Sequence, residues 1–331
     1  MMSKNRKRNG LRVELSILVP VAILIGIFII FVIATKGNMA SKNNLKAILD
    51  QSILIIIGGC GMLFVVAQGG CDMSVGTTLA LSSVLGSYCA SLLGTELVIF
   101  PVTIRVACGL GALNAFIICK FRVPSFMTTL AMLIGIRGLV NFLQHGAVGI
   151  YYSGDLISNL RSYPVKIAVL IILLFLTYYL LEHTKVGKYS KAIGENEMVA
   201  ITVGIPVTRM KFFAFMIAAV MAGIAGMFSM AKMGGTTTTM GSFYELELFM
   251  SIYLGGVLVT GGYSANIVRL LVGAFTLSII KNGLVLVRMS TVDFVQLVQS
   301  IALLALIFIT IRLGDKVIHI GARKIEEEPA D

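Results

Sequence analysis

The sequence predicts an all-α, polytopic membrane protein with about ten transmembrane helices. Three observations predict it. Only 13% of the 331 residues are charged, where a soluble chain carries about 25%. The mean hydropathy is +0.93. The apolar residues come in continuous runs near the ~20 residues a helix needs to cross a hydrocarbon core. They do not form the alternating segments of a membrane barrel.

The first apolar run, about 17–35, follows the basic stretch MMSKNRKRNGLRVELS. That stretch resembles a signal-peptide n-region. The run after it is too long for an h-region and no small-residue cleavage site follows, so it reads as a retained first span. Further apolar segments fall at about 46–67, 73–93, 97–119, 124–142, 165–182, 211–231, 244–260, 266–287 and 292–312. Glycine clusters inside them, such as Gly58-Gly59-Cys60-Gly61 and Ala222-Gly223-Ile224-Ala225-Gly226, let neighbouring helices approach closely.

Between the second and third spans lies Gln68-Gly69-Gly70-Cys71-Asp72-Met73-Ser74-Val75-Gly76. Gly69 and Gly70 permit backbone that other residues resist. Asp72 and Ser74 can each cap the following helix. Non-helical backbone near membrane depth is buried in protein or lines water, so the stretch is a tight turn or part of a gate. Pro124 opens the fifth span, where its missing N–H costs nothing. Arg105, Arg137 and Lys281 fall toward the outer ends of their spans and are expected to snorkel to the interface. Asn114 and Asn282 cannot snorkel. They are expected to hydrogen-bond between helices or to line a polar path.

The net charge of +11 follows the membrane rather than a nucleic acid. With both termini inside, the cytoplasmic segments carry 17 Lys and Arg and the outer ones 7, as the positive-inside rule requires. The chain then reads as one transmembrane domain, 1–331, with a cytoplasmic tail at 1–16, a cytoplasmic loop at 183–210 and a second tail at 313–331. The five cysteines sit in or beside apolar runs without a CxxC pair and read as small buried hydrophobes. No GxxxxGK[ST], HExxH or GxSxG occurs, and the three histidines are scattered. The sequence therefore offers no catalytic residue, no metal site and no nucleotide cradle.

The longest cytoplasmic loop holds a polar, basic, small-residue island, GKYSKAIGENEMVAITVGIP, from Gly187 to Pro206. Lys188 to Val199 can form a short helix that Gly194 interrupts. Glu195-Asn196-Glu197 supplies acids and a cap for a second turn. Gly204-Ile205-Pro206 stops it. The residues alone leave two readings open: a helix that docks into a partner, or an ordinary loop.

Together these motifs resemble the permease subunits of bacterial ABC importers for simple sugars, in the ribose, galactose and xylose branch. The likeness covers about residues 15–312. It rests on Gly69 to Gly76, on Val123 to Leu130 and on Asn282 to Leu284. It rests also on the island positions Gly187, Lys188, Ala192, Ile193, Gly194, Asn196, Ala200, Gly204 and Ile205. Cys71, Val199, the stretch after Glu247 and the outer loop QHGAVGIYYSGDL depart from the family pattern.

The resemblance implies a fold like the vitamin B12-type importers. It also implies a complex of two permeases (a second copy or a sister chain), two ATPase subunits and an extracytoplasmic sugar-binding protein. The permease binds no cofactor; ATP and Mg sit on the ATPase. The island becomes the coupling segment, with Lys188 and Lys191 pairing with acidic groups of the ATPase and Glu195 and Asn196 orienting the helix. Ser83, Asn114, Thr128 and Asn282 become candidates for the solute path. The same machinery suits another small polar solute, such as a nucleoside or a furanose signal. An ion-driven transporter would need carboxylates at span centres, where the sequence reading finds almost none.

Overall fold

The computed structural model describes residues 2–144 and 155–287, with positions 297, 300, 301 and 304 beyond them. Apart from those four positions, the expected tenth span at 292–312 lies outside the described residues, as do the C-terminal tail and the middle of the outer loop. What is described is helical. Seven helices are long and apolar enough to cross a membrane.

Helix α1 (Met2–Ala34) runs into a short turn, and α2 (Lys42–Ala67) follows, capped by Ser41, whose side chain accepts the Asn44 N–H. Next come α3 (Val75–Leu93), α4 (Ile99–Phe121) and α5 (Ser125–Gln144). A seven-residue helix, α6 (Asp155–Arg161), precedes α7 (Tyr163–Tyr178), which tightens into a π turn at Tyr179–His183. The island forms α8 (Lys185–Glu195) and α9 (Glu197–Thr202). Then come α10 (Val207–Met233), α11 (Tyr244–Leu254) and α12 (Ile267–Leu286).

Helix α2 is central: its apolar window is 78% buried, against 22% for α5 and α7. It packs on α10, α12, α11 and α7. The glycines explain how. A side chain at Gly61 would collide with the backbone of Ala218, and one at Gly111 of α4 with Ala219 and the Phe215 carbonyl. Helix α10 therefore lies almost backbone to backbone between α2 and α4, the small-residue packing that membranes favour.

Two expectations fail here. The segment 244–260 is not a full span. Helix α11 has 11 residues, about 16 Å at 1.5 Å per residue, half of a ~30 Å core. Its first residue reaches mid-depth, because the Tyr244 hydroxyl donates to the Leu54 carbonyl at 2.6 Å, in the middle of α2. It stops at Gly255 and Gly256, and Gly255 packs against the Arg269 backbone with no room for a side chain.

The charges are the second failure. Lys281 is not snorkelling outward; it pairs with Glu247 of α11 at 2.5 Å. Arg137 donates to the Thr238 and Met240 carbonyls at 3.1 and 2.8 Å. Lys166 pairs with Asp50 at 2.8 Å. Carboxylates do occur at membrane depth, and low dielectric favours pairing them.

Candidate functional site

The island folds as two helices with opposite characters. The break is at Asn196, not at the expected Gly194. Asn196 is extended (φ −162°, ψ 107°), and its side chain accepts the Val199 N–H at 3.1 Å as the N-cap of α9. Gly204 adopts φ +83° and ends the segment, as a glycine stop should. Beneath it, Ile193, Ala200, Val207 and Met210 form a small separate core with Tyr189 and Ile205.

Helix α8 is fastened down. Gly187 lies against the Leu181 backbone, and a side chain at Gly194 would collide with the Ala67 carbonyl and the Gly262 amide. Ser190 is buried and accepts the Gln68 amide N–H at 2.8 Å. Lys191 is 5% exposed and pairs with Glu182 at 2.6 Å. The expectation that Lys191 meets an acidic partner is thus overturned: its ammonium is already neutralised inside the fold. The Glu195 carboxylate turns inward too, accepting the Tyr263 N–H at 2.8 Å. Lys188 is exposed, and Ala192 is half-buried.

Helix α9 is the reverse. Ala200 faces the small core, while Met198 (71% exposed), Val199, Ile201 and Val203 (69%) stand free. Apolar exposure of this kind on a polar loop marks a contact surface.

The segment 68–74 climbs beside the first turns of α5. Gly69 has φ +69°. The Cys71 N–H donates to Ser125 Oγ at 3.2 Å and the Met73 N–H to Thr129 Oγ1 at 3.0 Å. Hydroxyls thus satisfy backbone that no helix satisfies. Asp72 is 2% exposed. Its Oδ1 accepts both the N–H and the hydroxyl of Ser74, at 2.9 and 2.7 Å, so it orders the turn rather than capping α3. Ser74 in turn accepts the Asn114 amide N–H at 2.7 Å.

At the start of α3, Gly76 meets Gly241, and a side chain on either would strike the carbonyl of the other. The Glu245 carboxylate lies against Gly76 as well. The half-helix α11 and the full-length helix α3 therefore begin side by side inside the bundle. Discontinuous helices of this kind recur where transporters hold their solutes. Asn114 Oδ1, Thr128 Oγ1 and Glu245 Oε2 are buried with no hydrogen-bond partner among the described residues.

A cavity of about 740 Å³ opens below this junction. Gln68, Gly69, Gly70, Arg122 and Ser125 line it, together with Lys211, which pairs with Glu197 of α9 at 2.7 Å. The sequence-predicted gate residues and Asn114 are therefore brought together, with Thr128 on the neighbouring helix. Ser83 and Asn282 are not part of this group. Ser83 donates to the Leu79 carbonyl at 2.8 Å and packs on Gly226, which makes it a helix–helix contact. Asn282 is buried in α12, next to Gly283, which packs on Phe31 of α1.

Sequence reading missed Glu245 and Tyr263; it named Gln68 only as part of the turn and Arg137 only as a snorkelling cation. The signal for Glu245 was present: Tyr-Glu-Leu-Glu inside an apolar stretch marks intramembrane acids.

The sequence matches the family described as branched-chain amino acid transport system / permease component over residues 44–310. The chain belongs to this family. Among its relatives is the ribose import permease protein RbsC of Escherichia coli (strain K12). It is 30% identical over 294 residues, 86% of this chain and 90% of that one. RbsC of Bacillus subtilis (strain 168) is 31% identical, over 83% and 87%. The L-arabinose ABC transporter permease protein AraH of Azospirillum brasilense is 29% identical, over 83% and 82%. A permease component is a multi-pass membrane subunit of a larger transport system, not an enzyme in its own right.

Proposed function

We propose that this chain is the membrane-spanning subunit of an ATP-binding cassette importer that moves a monosaccharide, a ribose-like pentose or a hexose, into the cytoplasm. Relatives named for ribose and L-arabinose import support the solute class. Hydrolysis takes place on a separate ATPase subunit, which carries the ATP and Mg; this chain holds neither. An extracytoplasmic binding protein delivers the solute, and a second copy or a sister permease completes the channel. Both termini face the cytoplasm, a placement supported by the bias of 17 to 7 in basic residues.

One observation carries the reading of the island. Helix α9 offers Met198, Val199, Ile201 and Val203 on a charged loop between two spans. Such a knob fits an apolar cleft on the ATPase. Lys188 lies beside it as a rim charge. Asn196 caps the knob; Gly187, Ala192, Gly194, Ala200, Gly204 and Ile205 shape its base. In this reading Gly69, Gly70, Asp72, Ser74 and Gly76 form the gate, and Asn114 and Thr128 face the solute as it passes.

Reconstitution in vesicles with the ATPase and binding protein tests the proposal. ATP-dependent uptake that survives collapse of ion gradients is expected. Uptake that needs no ATP and disappears with the gradient would overturn it.

A further inference from the structure

We infer that Glu195 is a positioning residue that ties the coupling segment to the half-helix α11, rather than a contact for the ATPase. This rests on α8 and α9 being the coupling segment. Glu195 lies on the surface, yet its carboxylate is spent inward. Oε1 accepts the Tyr263 N–H at 2.8 Å and lies directly over Gly262, where a side chain would displace it. Gly262 and Gly261 have φ of +67° and +79°, conformations that glycine alone takes easily. The loop is therefore shaped to bring its backbone under α8.

That loop, 255–266, is braced on its other side. Arg269 Nη1 donates to the Gly256 and Ser264 carbonyls at 2.8 and 3.2 Å. Ser264 Oγ donates to the Gly261 carbonyl at 2.6 Å and accepts the Leu258 N–H at 2.9 Å. A loop fastened this densely moves as a block. Its near end is α11, whose far end places Glu245 and Gly241 against Gly76.

A second tie runs in parallel. Gln68 donates to Ser190 of α8 at 2.8 Å and to the Met210 carbonyl at 3.0 Å. Gln68 opens the segment that carries Asp72 and Ser74 to the same junction. One displacement of α8 thus reaches both sides of the junction, α11 through Glu195 and the segment before α3 through Gln68. Transmission requires contacts that differ between two states, and that role is here assigned to these two ties.

The test uses the full complex with its ATPase. The five native cysteines are replaced, and Thr239→Cys, just before Gly241, reports on the junction through its rate of maleimide labelling. Trapping the ATPase with ATP and vanadate is expected to change that rate by about fivefold or more, within the usual range of coupling between sites. In E195A the change should shrink while the ATPase stays bound, with the Gln68 tie carrying what remains. In E195Q, whose amide oxygen still accepts the Tyr263 N–H, the full change should return.

A wild-type-like change in E195A, or no change in the parent, would overturn the proposal. So would release of the ATPase by E195A, or equal failure of E195A and E195Q. Should E195A not insert, E195D, whose shorter side chain draws the carboxylate back from the Tyr263 N–H, takes its place with the same expected reduction. Met198→Asp separates the underlying reading: an ATPase that stays bound to that variant refutes α9 as the docking element, whatever Glu195 does.

Discussion

Helices α8 and α9 are neighbours in sequence, one polar and one apolar, and the fold treats them oppositely. Helix α8 turns Gly187, Ser190 and Lys191 into the protein and leaves Lys185 and Lys188 exposed. Helix α9 has its apolar residues turned out. The polar helix is the anchored one and the apolar helix is offered. This reverses the usual surface logic, in which exposed positions are polar. A segment that must both grip a partner and move its own spans needs that division. One helix provides the grip and the other provides the stiffness.

The sharpest way to break the comparison is to lift α8. Gly194→Val places branched carbon against two backbone groups, the Ala67 carbonyl and the Gly262 amide. Overpacking costs about 1–3 kcal/mol where side chains can shift. Backbone cannot shift without carrying α2 or the 255–266 loop with it. Uptake should fall to background while membrane insertion, read by protease accessibility, is unchanged. Normal uptake would show that α8 is not an anchor.

The next variant acts on α9 and leaves α8 intact. Met198→Asp puts a charge at a side chain that is 71% exposed, so the isolated permease should keep its stability within about 0.5 kcal/mol. If Met198 is buried on docking, its loss costs about 1.5–3 kcal/mol. That is at least about a tenfold weaker complex with the ATPase, measured by titration of the purified subunits. Unchanged affinity would move the docking surface elsewhere.

The contrast explains what was legible in the sequence. The described span positions were, apart from 244–260, because long apolar runs have few other uses. The island, its Asn196 cap and its Gly204 stop were, because caps and stops are local. The small-residue contacts of α2 with α10 were legible in kind. Three features were not. The half-helix α11 looked like a span because an apolar stretch does not say where its backbone breaks; Gly255 and Gly256 matter only through what packs on them. Lys191 looked available because its partner, Glu182, lies in the tail of the preceding span. Glu195 looked like a surface acid because its acceptor role needs a backbone amide from 68 residues further along.

The smallest expected effect sharpens the comparison most. Lys188 and Lys191 are three residues apart on α8, and only Lys188 is free to meet the ATPase. Its ammonium is exposed, so a pairing there is a rim interaction of about 0.2–1 kcal/mol. Lys188→Ala should therefore weaken binding by less than about fivefold. The deficit should shrink as salt rises, since screening length falls from about 10 Å at 0.1 M to 3 Å at 1 M. The apolar contribution of α9 should not shrink with it. Binding of wild type and Lys188→Ala, measured across that range, separates the two contributions. A salt-independent loss would mean that Lys188 acts by packing its stem, which would make α8 part of the knob after all.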